Sequence, residues 1–280
     1  MNAPIRVVTV AYNSDGVLPA FVESLGEASS RPLRLVIVDN GPVAPAPLRA
    51  PRDDVDVEVL PAGGNLGYGT AVNRGAAIDA QGVEWIVVAN PDIVFRPGAI
   101  DELIRVGQED DTVGQVGPLI LTSDGAVYPS ARRLPSLRNG IGHALFNKIW
   151  PANPWTRAYH SDRELPPSQR DAGWLSGAAF LVRAAAFREV GGFDESYFMY
   201  FEDVDLSARL GRAGWRMRYA PSAVVVHIGA HSTGASSAMV RAHHASAYQY
   251  LARRYRAWYL WPLRAVLRLG LAVRARIVNG

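Results

Sequence analysis

An α/β fold with a mostly parallel sheet flanked by helices is what this sequence predicts, on three observations. Short β-branched or apolar runs at residues 6–11 (RVVTVA), 33–38 (LRLVIV) and 85–89 (WIVVA) alternate with stretches of helical spacing. Each run ends in a polar cluster: Tyr12-Asn13, Asp39-Asn40 and Asn90-Pro91-Asp92. A glycine-rich loop, Gly63-Gly64-Asn65-Leu66-Gly67-Tyr68-Gly69, opens the second helical stretch. In parallel sheets, ligands sit at the carboxyl ends of the strands, where these clusters fall.

The elements follow in order. The first run ends in a turn at residues 12–15 that offers a helix N-cap, and Val17, Leu18, Phe21, Val22 and Leu25 then recur at helical spacing. The second run closes at Asp39-Asn40-Gly41, and a third strand is expected over 55–60. The glycine loop feeds a helix expected over 70–80, before the buried strand 85–89. Residues 122–170 are rich in proline, aromatics and arginine and predict loops and short helices. Order resumes with a buried strand or strand pair over 173–182 and a short helix to residue 190. Beyond these come a helix over 206–212, a strand over 223–227 and a loop over 228–238. No internal repeat or low-complexity linker is present, so one domain over 1–238 with a helical tail over 239–280 is the economical division.

Composition narrows the function classes. The 280 residues include no cysteine, which excludes a disulfide framework and a thiolate metal site. The first residues run straight into a strand pattern without the zones of a signal peptide, so a cytoplasmic location is expected. Charge is unevenly placed: twelve arginines and no acid follow Asp205, so that part carries +12 of a formal total of +3 and leaves −9 before it. Such a tail suits an anionic surface or ligand. In it, Tyr248, Tyr250, Tyr255, Trp258, Tyr259 and Trp261 interleave with Arg253, Arg254, Arg256, Arg264 and Arg268, and Pro262 divides the pattern into two helical pieces. The apolar run 258–273 contains two arginines and falls short of the ~20 apolar residues that a span needs, so an in-plane helix at a membrane surface is expected. A packed terminal helix with a solvated basic face is the bland alternative. Arginine with stacking aromatics also suits single-stranded nucleic acid, but that reading leaves the sheet-edge clusters unexplained, and no nucleic-acid partner is expected.

Several residues are candidates for chemistry. One polar cluster at a strand end is ordinary turn chemistry. Three on one edge beside a glycine loop, which lets backbone approach a ligand, point to a nucleotide pocket. The loop is neither a Walker motif nor a dinucleotide fingerprint, since its spacing differs and no lysine follows. Asp92, with an oxygen from Asn90, suits a hard divalent cation held against a diphosphate. His227 ends a strand, where a lone histidine is more often packed than a ligand, but the donor-rich His231-Ser232-Thr233 loop beside it makes phosphate or metal contact about as frequent an outcome. Residues 191–206 (GGFDESYFMYFEDVDL) mix carboxylates with aromatics, a setting in which a raised pKa suits a general base. Alternatively, Glu202, Asp203 and Asp205 simply charge the first turn of a helix.

The succession Ala11-Tyr12-Asn13, Val38-Asp39-Asn40, Gly64 to Gly69, Asn90-Pro91-Asp92, Gly191-Gly192-Phe193-Asp194-Glu195 and Glu202-Asp203-Val204-Asp205-Leu206 resembles the inverting GT-A glycosyltransferases of the large second family. The likeness covers about residues 5–235. Residues 117–120 (GPLI), 127–132 (VYPSAR), 153–156 (NPWT), 173–177 (GWLSG) and 230–234 (AHSTG) are similar to those of actinobacterial cell-wall linker rhamnosyltransferases.

The resemblance implies a GT-A, Rossmann-like sheet with a nucleotide half over about 1–120 and an acceptor half over about 121–238. It implies transfer of L-rhamnose from dTDP-L-rhamnose to the 3-hydroxyl of N-acetylglucosaminyl-diphospho-polyprenol (decaprenol), with inversion, in building the arabinogalactan linker. A galactofuranosyl or glucosyl donor is the runner-up. Ala11, Tyr12, Asn13 and Asp39 would hold base and ribose, with Asn65, Gly67 and Asn90 beside the nucleotide sugar. Asp92 would bind Mg²⁺ or Mn²⁺ where the family has a D-x-D motif, with His227 as a further ligand; Asn90 replaces the motif's first carboxylate. Asp203 sits where the family places its base, with Glu202 and Asp205 as supports. Trp174, Ser176, Arg132, Arg133 and His231 would bind the acceptor sugar and diphosphate. The lipid-linked acceptor implies a peripheral place at the inner face of the cell membrane, and an oligomer is compatible with it.

Overall fold

The computed structural model describes residues 5–135, 167–229 and 237–279. The first half alternates strand and helix: β1 (Ile5–Ala11), α1 (Leu18–Ala28), β2 (Leu33–Asp39), β3 (Val55–Pro61), α2 (Tyr68–Ala77), β4 (Trp85–Ala89), β5 (Ile93–Phe95), α3 (Ala99–Gln108) and β6 (Val113–Thr122). Then come β7 (Val127–Tyr128), β8 (Ala131–Arg132), β9 (Arg170–Ala172), β10 (Trp174–Leu175), β11 (Ala179–Arg183), α4 (Ala184–Glu189), α5 (Glu202–Arg212) and β12 (Arg216–His227). The tail holds α6 (Ser237–Arg254), a 3₁₀ turn (Trp258–Leu260) and α7 (Trp261–Asn279).

The main sheet runs β3-β2-β1-β4-β11-β6-β12-β5. Strands β3, β2, β1 and β4 are parallel, and β12 is parallel to β6, whereas β11 is antiparallel to both β4 and β6. The expected, mostly parallel sheet with flanking helices is therefore present. Every residue of β1 and β4 is buried, as befits strands covered on both faces. Alternation sorts their side chains: Val7, Leu35 and Val87 pack with Leu18, Phe21 and Leu25 of α1 and Ile100 and Leu103 of α3. Val8, Val36 and Val88 pack with Ala71 and Val72 of α2 and Leu206 and Leu210 of α5. Helix α2 lies so close that a Cβ on Gly75 would come within 2.7 Å of Val8 and 2.8 Å of Val38.

Several boundaries differ from expectation. Helix α1 starts at Leu18 after an uncapped Val17, because the Ser14 hydroxyl turns back to the Tyr12 backbone. Helix α2 ends at Ala77, since Ile78 is already extended. Strand β12 reaches back to Arg216 through two register irregularities, and the short β5 pairs with its far end. Helix α5 starts at Glu202 rather than residue 206, so the acids do occupy its first turn. The tail breaks before Trp258 rather than at Pro262, which sits in the first turn of α7 where a missing N–H costs nothing. Arg264 Nη1 donates to the carbonyls of Tyr255 and Ala257, both at 2.9 Å, and ties α7 to the end of α6. Helix α6 packs on the body through Tyr250, which joins Tyr197 and Val204 in a third small core. Beyond it Trp258, Tyr259, Trp261, Val266 and Leu269 are exposed, Trp258 by 82%. Among the described residues no helix is long and apolar enough to cross a membrane.

Candidate active site

Because β2, β1 and β4 are parallel, their polar ends share one edge. The Asn40 N–H donates to the Ala11 carbonyl at 2.9 Å, and Asp39 Oδ1 accepts the Gly41 N–H at 2.9 Å, which fixes the two strand ends together. Asn13 adopts a left-handed backbone (φ 53°), and Tyr12 stands half exposed above the edge. The glycine loop joins this group: Asn40 Nδ2 donates to the Gly67 carbonyl at 3.1 Å, and Asn65 Oδ1 accepts the Gly67 N–H at 3.0 Å. Ala11, Tyr12, Asn13, Asp39, Asn65 and Gly67 thus lie around one rim.

The loop's glycine requirement has a source that sequence reasoning did not see. Gly67 has φ +80°, and a Cβ there would lie 2.3 Å from the Phe198 carbonyl oxygen, which accepts the Tyr68 N–H at 3.0 Å. The close approach is to the protein's own segment around residue 198, and the first amide of α2, that of Tyr68, is taken by it.

Asp92 follows β4. The Asn90 N–H donates to the Ala178 carbonyl at 2.8 Å, and the Ile228 N–H donates to the Asp92 carbonyl at 2.9 Å, which brings the end of β12 alongside. There His227 Nε2 lies 3.0 Å from Asp92 Oδ2. A Cβ on Gly229 would stand 2.2 Å from that same oxygen, so the contact needs a glycine. Asp92 Oδ1 and His227 Nδ1 are both buried without a hydrogen-bond partner. An unpartnered carboxylate oxygen is the kind of ligand a hard cation takes, and the imidazole stands beside it. Among the described residues no group of three or more His, Cys, Asp or Glu side chains could hold a metal. The two would therefore share a cation with oxygens from a ligand, as Mg²⁺ sites on phosphates do.

The carboxylates of α5 form the third part. Asp203 Oδ2 accepts the Gly177 N–H at 2.8 Å, and Oδ1 accepts the Val204 N–H at 2.8 Å. The Tyr68 hydroxyl donates to the Gly177 carbonyl at 2.7 Å. Burial raises the Asp203 pKa, against the opposing pull of those N–H groups and of the Arg132 charge. Glu202 is buried with Oε2 unpartnered, and burial, then Asp203, pushes it up to about 8. Tyr68 is raised well above its ordinary value by burial and then by Glu202, Asp203 and Asp92, so its hydroxyl feels the carboxylates of α5 and of the β4 end together. Asp205 turns the other way: it pairs with Arg209 at 2.6 Å, and Arg209 Nη1 donates to the Val190 carbonyl at 2.6 Å, so its contacts brace the helix.

The remaining predicted residues surround β8 and β10. Trp174 pairs with Arg132 across the two strands, the Arg132 guanidinium lies 5.6 Å from the Trp174 ring centre, and Trp174 Nε1 donates to the Arg133 carbonyl at 3.1 Å. Ser176 is buried, its N–H donating to the Ser130 carbonyl at 2.8 Å. His231 lies outside the described residues, as do the 153–156 and 230–234 motifs. Tyr68 and Gly177 were missed as site residues, although each stood inside a motif already singled out.

This geometry can be set beside known proteins. The family model described as "Glycosyltransferase like family 2" matches residues 3–260. The chain is 47% identical to the N-acetylglucosaminyl-diphospho-decaprenol L-rhamnosyltransferase of Mycobacterium tuberculosis, over 99% of this chain and 94% of that protein. It is 43% identical to rhamnosyltransferase WbbL of Escherichia coli (strain K12), over 61% of this chain and 62% of that protein. Among solved structures, GalNAc-T7 with UDP, GalNAc and Mn²⁺ matches with a TM-score of 0.59 at 15% identity, over 96% of this chain and 54% of that one. The mannosyltransferase PcManGT of Pyrobaculum calidifontis, in complex with GDP-Man and Mn²⁺, matches with a TM-score of 0.58 at 15% identity, over 97% and 70%. These two support the fold.

Proposed function

Since the chain belongs to glycosyltransferase family 2, we propose that it moves L-rhamnose from dTDP-L-rhamnose to the 3-hydroxyl of N-acetylglucosaminyl-diphospho-decaprenol, with inversion. The near-full-length likeness to the mycobacterial rhamnosyltransferase carries this reading.

Asp203 is the general base. Its carboxylate takes the proton of the acceptor hydroxyl as that oxygen attacks the anomeric carbon from the face opposite the nucleotide. The bond from that carbon to the diphosphate breaks, and dTDP leaves without a covalent intermediate, through an oxocarbenium-like transition state as in inverting glycoside hydrolysis. A base raised by burial is better matched to neutral pH than an ordinary carboxylate. The Gly177 N–H and the Tyr68 hydroxyl behind it fix the direction of that carboxylate. Glu202, raised to about 8, stays largely protonated at neutral pH and so adds little negative charge beside the base.

The donor nucleotide is read by Ala11, Tyr12, Asn13 and Asp39, with Asn65, Gly67 and Asn90 beside it. Asp92 and His227 would hold a divalent cation, Mg²⁺ or Mn²⁺, which supplies positive charge for the leaving diphosphate. Trp174 and Ser176 line the acceptor sugar, and Arg132, Arg133 and His231 meet the acceptor diphosphate. Residues 1–238 carry the transfer site, and 239–280 rest on the inner face of the cell membrane, where the exposed Trp258, Tyr259 and Trp261 suit headgroup depth and the arginines suit lipid phosphates.

The test is a donor panel against a short-chain N-acetylglucosaminyl-diphospho-lipid, with and without chelator. The reading requires dTDP-L-rhamnose to give the highest kcat/KM. A higher value with a galactofuranosyl or glucosyl donor overturns the donor assignment.

A further inference from the structure

Tyr200 and Phe201, immediately before Glu202, both have left-handed backbone conformations, φ 68° and 67°. Bulky residues rarely adopt this region, and the backbone is strained at each position. Two such aromatics in succession persist only where their surroundings over-determine them. On one side the segment is closed by the start of α2, through the Tyr68 N–H on the Phe198 carbonyl and the tight fit of Gly67.

The other side is closed by the tail. His243, Ser246, Tyr250 and Arg253 recur three or four residues apart and so share one face of α6. The Ser246 hydroxyl donates to the Met199 carbonyl at 2.8 Å. The His243 ring meets those of Tyr200 and Phe201, each at 5.4 Å, and Tyr250 meets Phe201 at 5.7 Å. One turn further, Gln249 Nε2 donates to Ser196 Oγ at 2.6 Å. Arg253 pairs with Asp194, donates to Ser196 Oγ at 3.0 Å and lies over the Tyr197 ring at 5.4 Å. A polar row on α6 thus grips residues 194–199, and a ring cluster grips 200–201. The next residues in the chain are Glu202 and Asp203.

We propose that α6 is a positioning element for the transfer step: Ser246, Gln249 and Arg253 hold the strained backbone at Tyr200-Phe201 and, through it, fix the direction of the Asp203 carboxylate. The proposal rests on Asp203 as the base, and it assigns to the first half of the basic tail a task separate from the membrane. Positioning matters steeply in such reactions, where a misplacement of ~1 Å costs about a hundredfold.

The experiment uses the full chain with dTDP-L-rhamnose and a short-chain N-acetylglucosaminyl-diphospho-lipid, with active sites counted by dTDP titration. Ser246→Ala combined with Arg253→Met is expected to lower kcat per dTDP site at least about tenfold, with donor KM within about twofold of wild type. Arg253→Lys, which keeps the ion pair with Asp194, restores most of the loss. A merely structural role would reduce the number of dTDP sites and leave kcat per site unchanged, and that result overturns the proposal. Should the double variant fail to fold, Gln249→Ala alone carries the same prediction, a fall in kcat of at least about threefold at constant KM, and wild-type kcat there overturns it. Asp203→Asn runs alongside. Near wild-type turnover in that variant defeats the base assignment itself, whereas an inert Asp203→Asn beside fully active α6 variants defeats only the positioning role.

Discussion

Asp203 and Gly177 form one fixed unit: Asp203 Oδ2 accepts the Gly177 N–H at 2.8 Å, while the carbonyl of the same glycine accepts the Tyr68 hydroxyl at 2.7 Å. The carboxylate is therefore aimed by backbone from the loop before β11 and, at one remove, by a side chain from the start of α2. Removing the hydroxyl leaves the Gly177 carbonyl without that donor. Tyr68→Phe is expected to lower kcat by about three- to thirtyfold with donor KM little changed, a split that steady-state kinetics resolves.

Asp92 and His227 face each other at 3.0 Å with one orphaned atom each. His227→Gln and Asp92→Asn are expected to weaken activating Mn²⁺ by at least about tenfold, read as the cation concentration giving half-maximal transfer. Unchanged cation dependence in both variants removes these residues from the cation site.

Glu202 links the site to stability. Its pKa is raised from an ordinary 4.5 to about 8 by burial and then by Asp203, so the folded state holds a proton that the unfolded chain releases. Between those values the folded state binds more protons than the unfolded state, and stability falls as pH rises through about 4.5 to about 8. Glu202→Gln is neutral in both states and removes this dependence. It should unfold at higher denaturant concentration than wild type at pH 8, by ~1 kcal/mol or more, with a smaller difference at pH 5.

Much of this was legible in the sequence and some was not, for physical reasons. The sheet edge was legible because β-branched runs ended three times in polar residues, and parallel strands bring such ends together. The three-residue β5 is too short to show a period. The start of α5 was misplaced because the chain enters the helix through two left-handed aromatics, Tyr200 and Phe201, which carry no start signal. The docking of α6 was hidden because its contact face carries Ser246, Gln249 and Arg253, so apolar periodicity is weak where contact is strong. The Tyr68–Gly177 bond joins residues 109 apart in the chain, a separation that no local pattern encodes.

The exposed aromatics after α6 give a prediction that separates membrane contact from chemistry. Trp258→Ser, Tyr259→Ser and Trp261→Ser together should release the protein from vesicles containing anionic lipid, measured by co-sedimentation. Turnover of a water-soluble, short-chain acceptor should stay within about twofold, because all three side chains are exposed rather than packed in the core. Retained vesicle binding moves the membrane contact elsewhere.

Asp203 is proposed to take the acceptor proton. Asparagine at this position keeps the size of the side chain and an oxygen for the Gly177 N–H, so the fold and the donor pocket should survive the change. Purified Asp203→Asn, assayed with dTDP-L-rhamnose and the short-chain acceptor, is predicted to lose transfer by at least about a hundredfold while binding dTDP as the wild type does. Turnover within a few-fold of wild type in that protein would contradict the account.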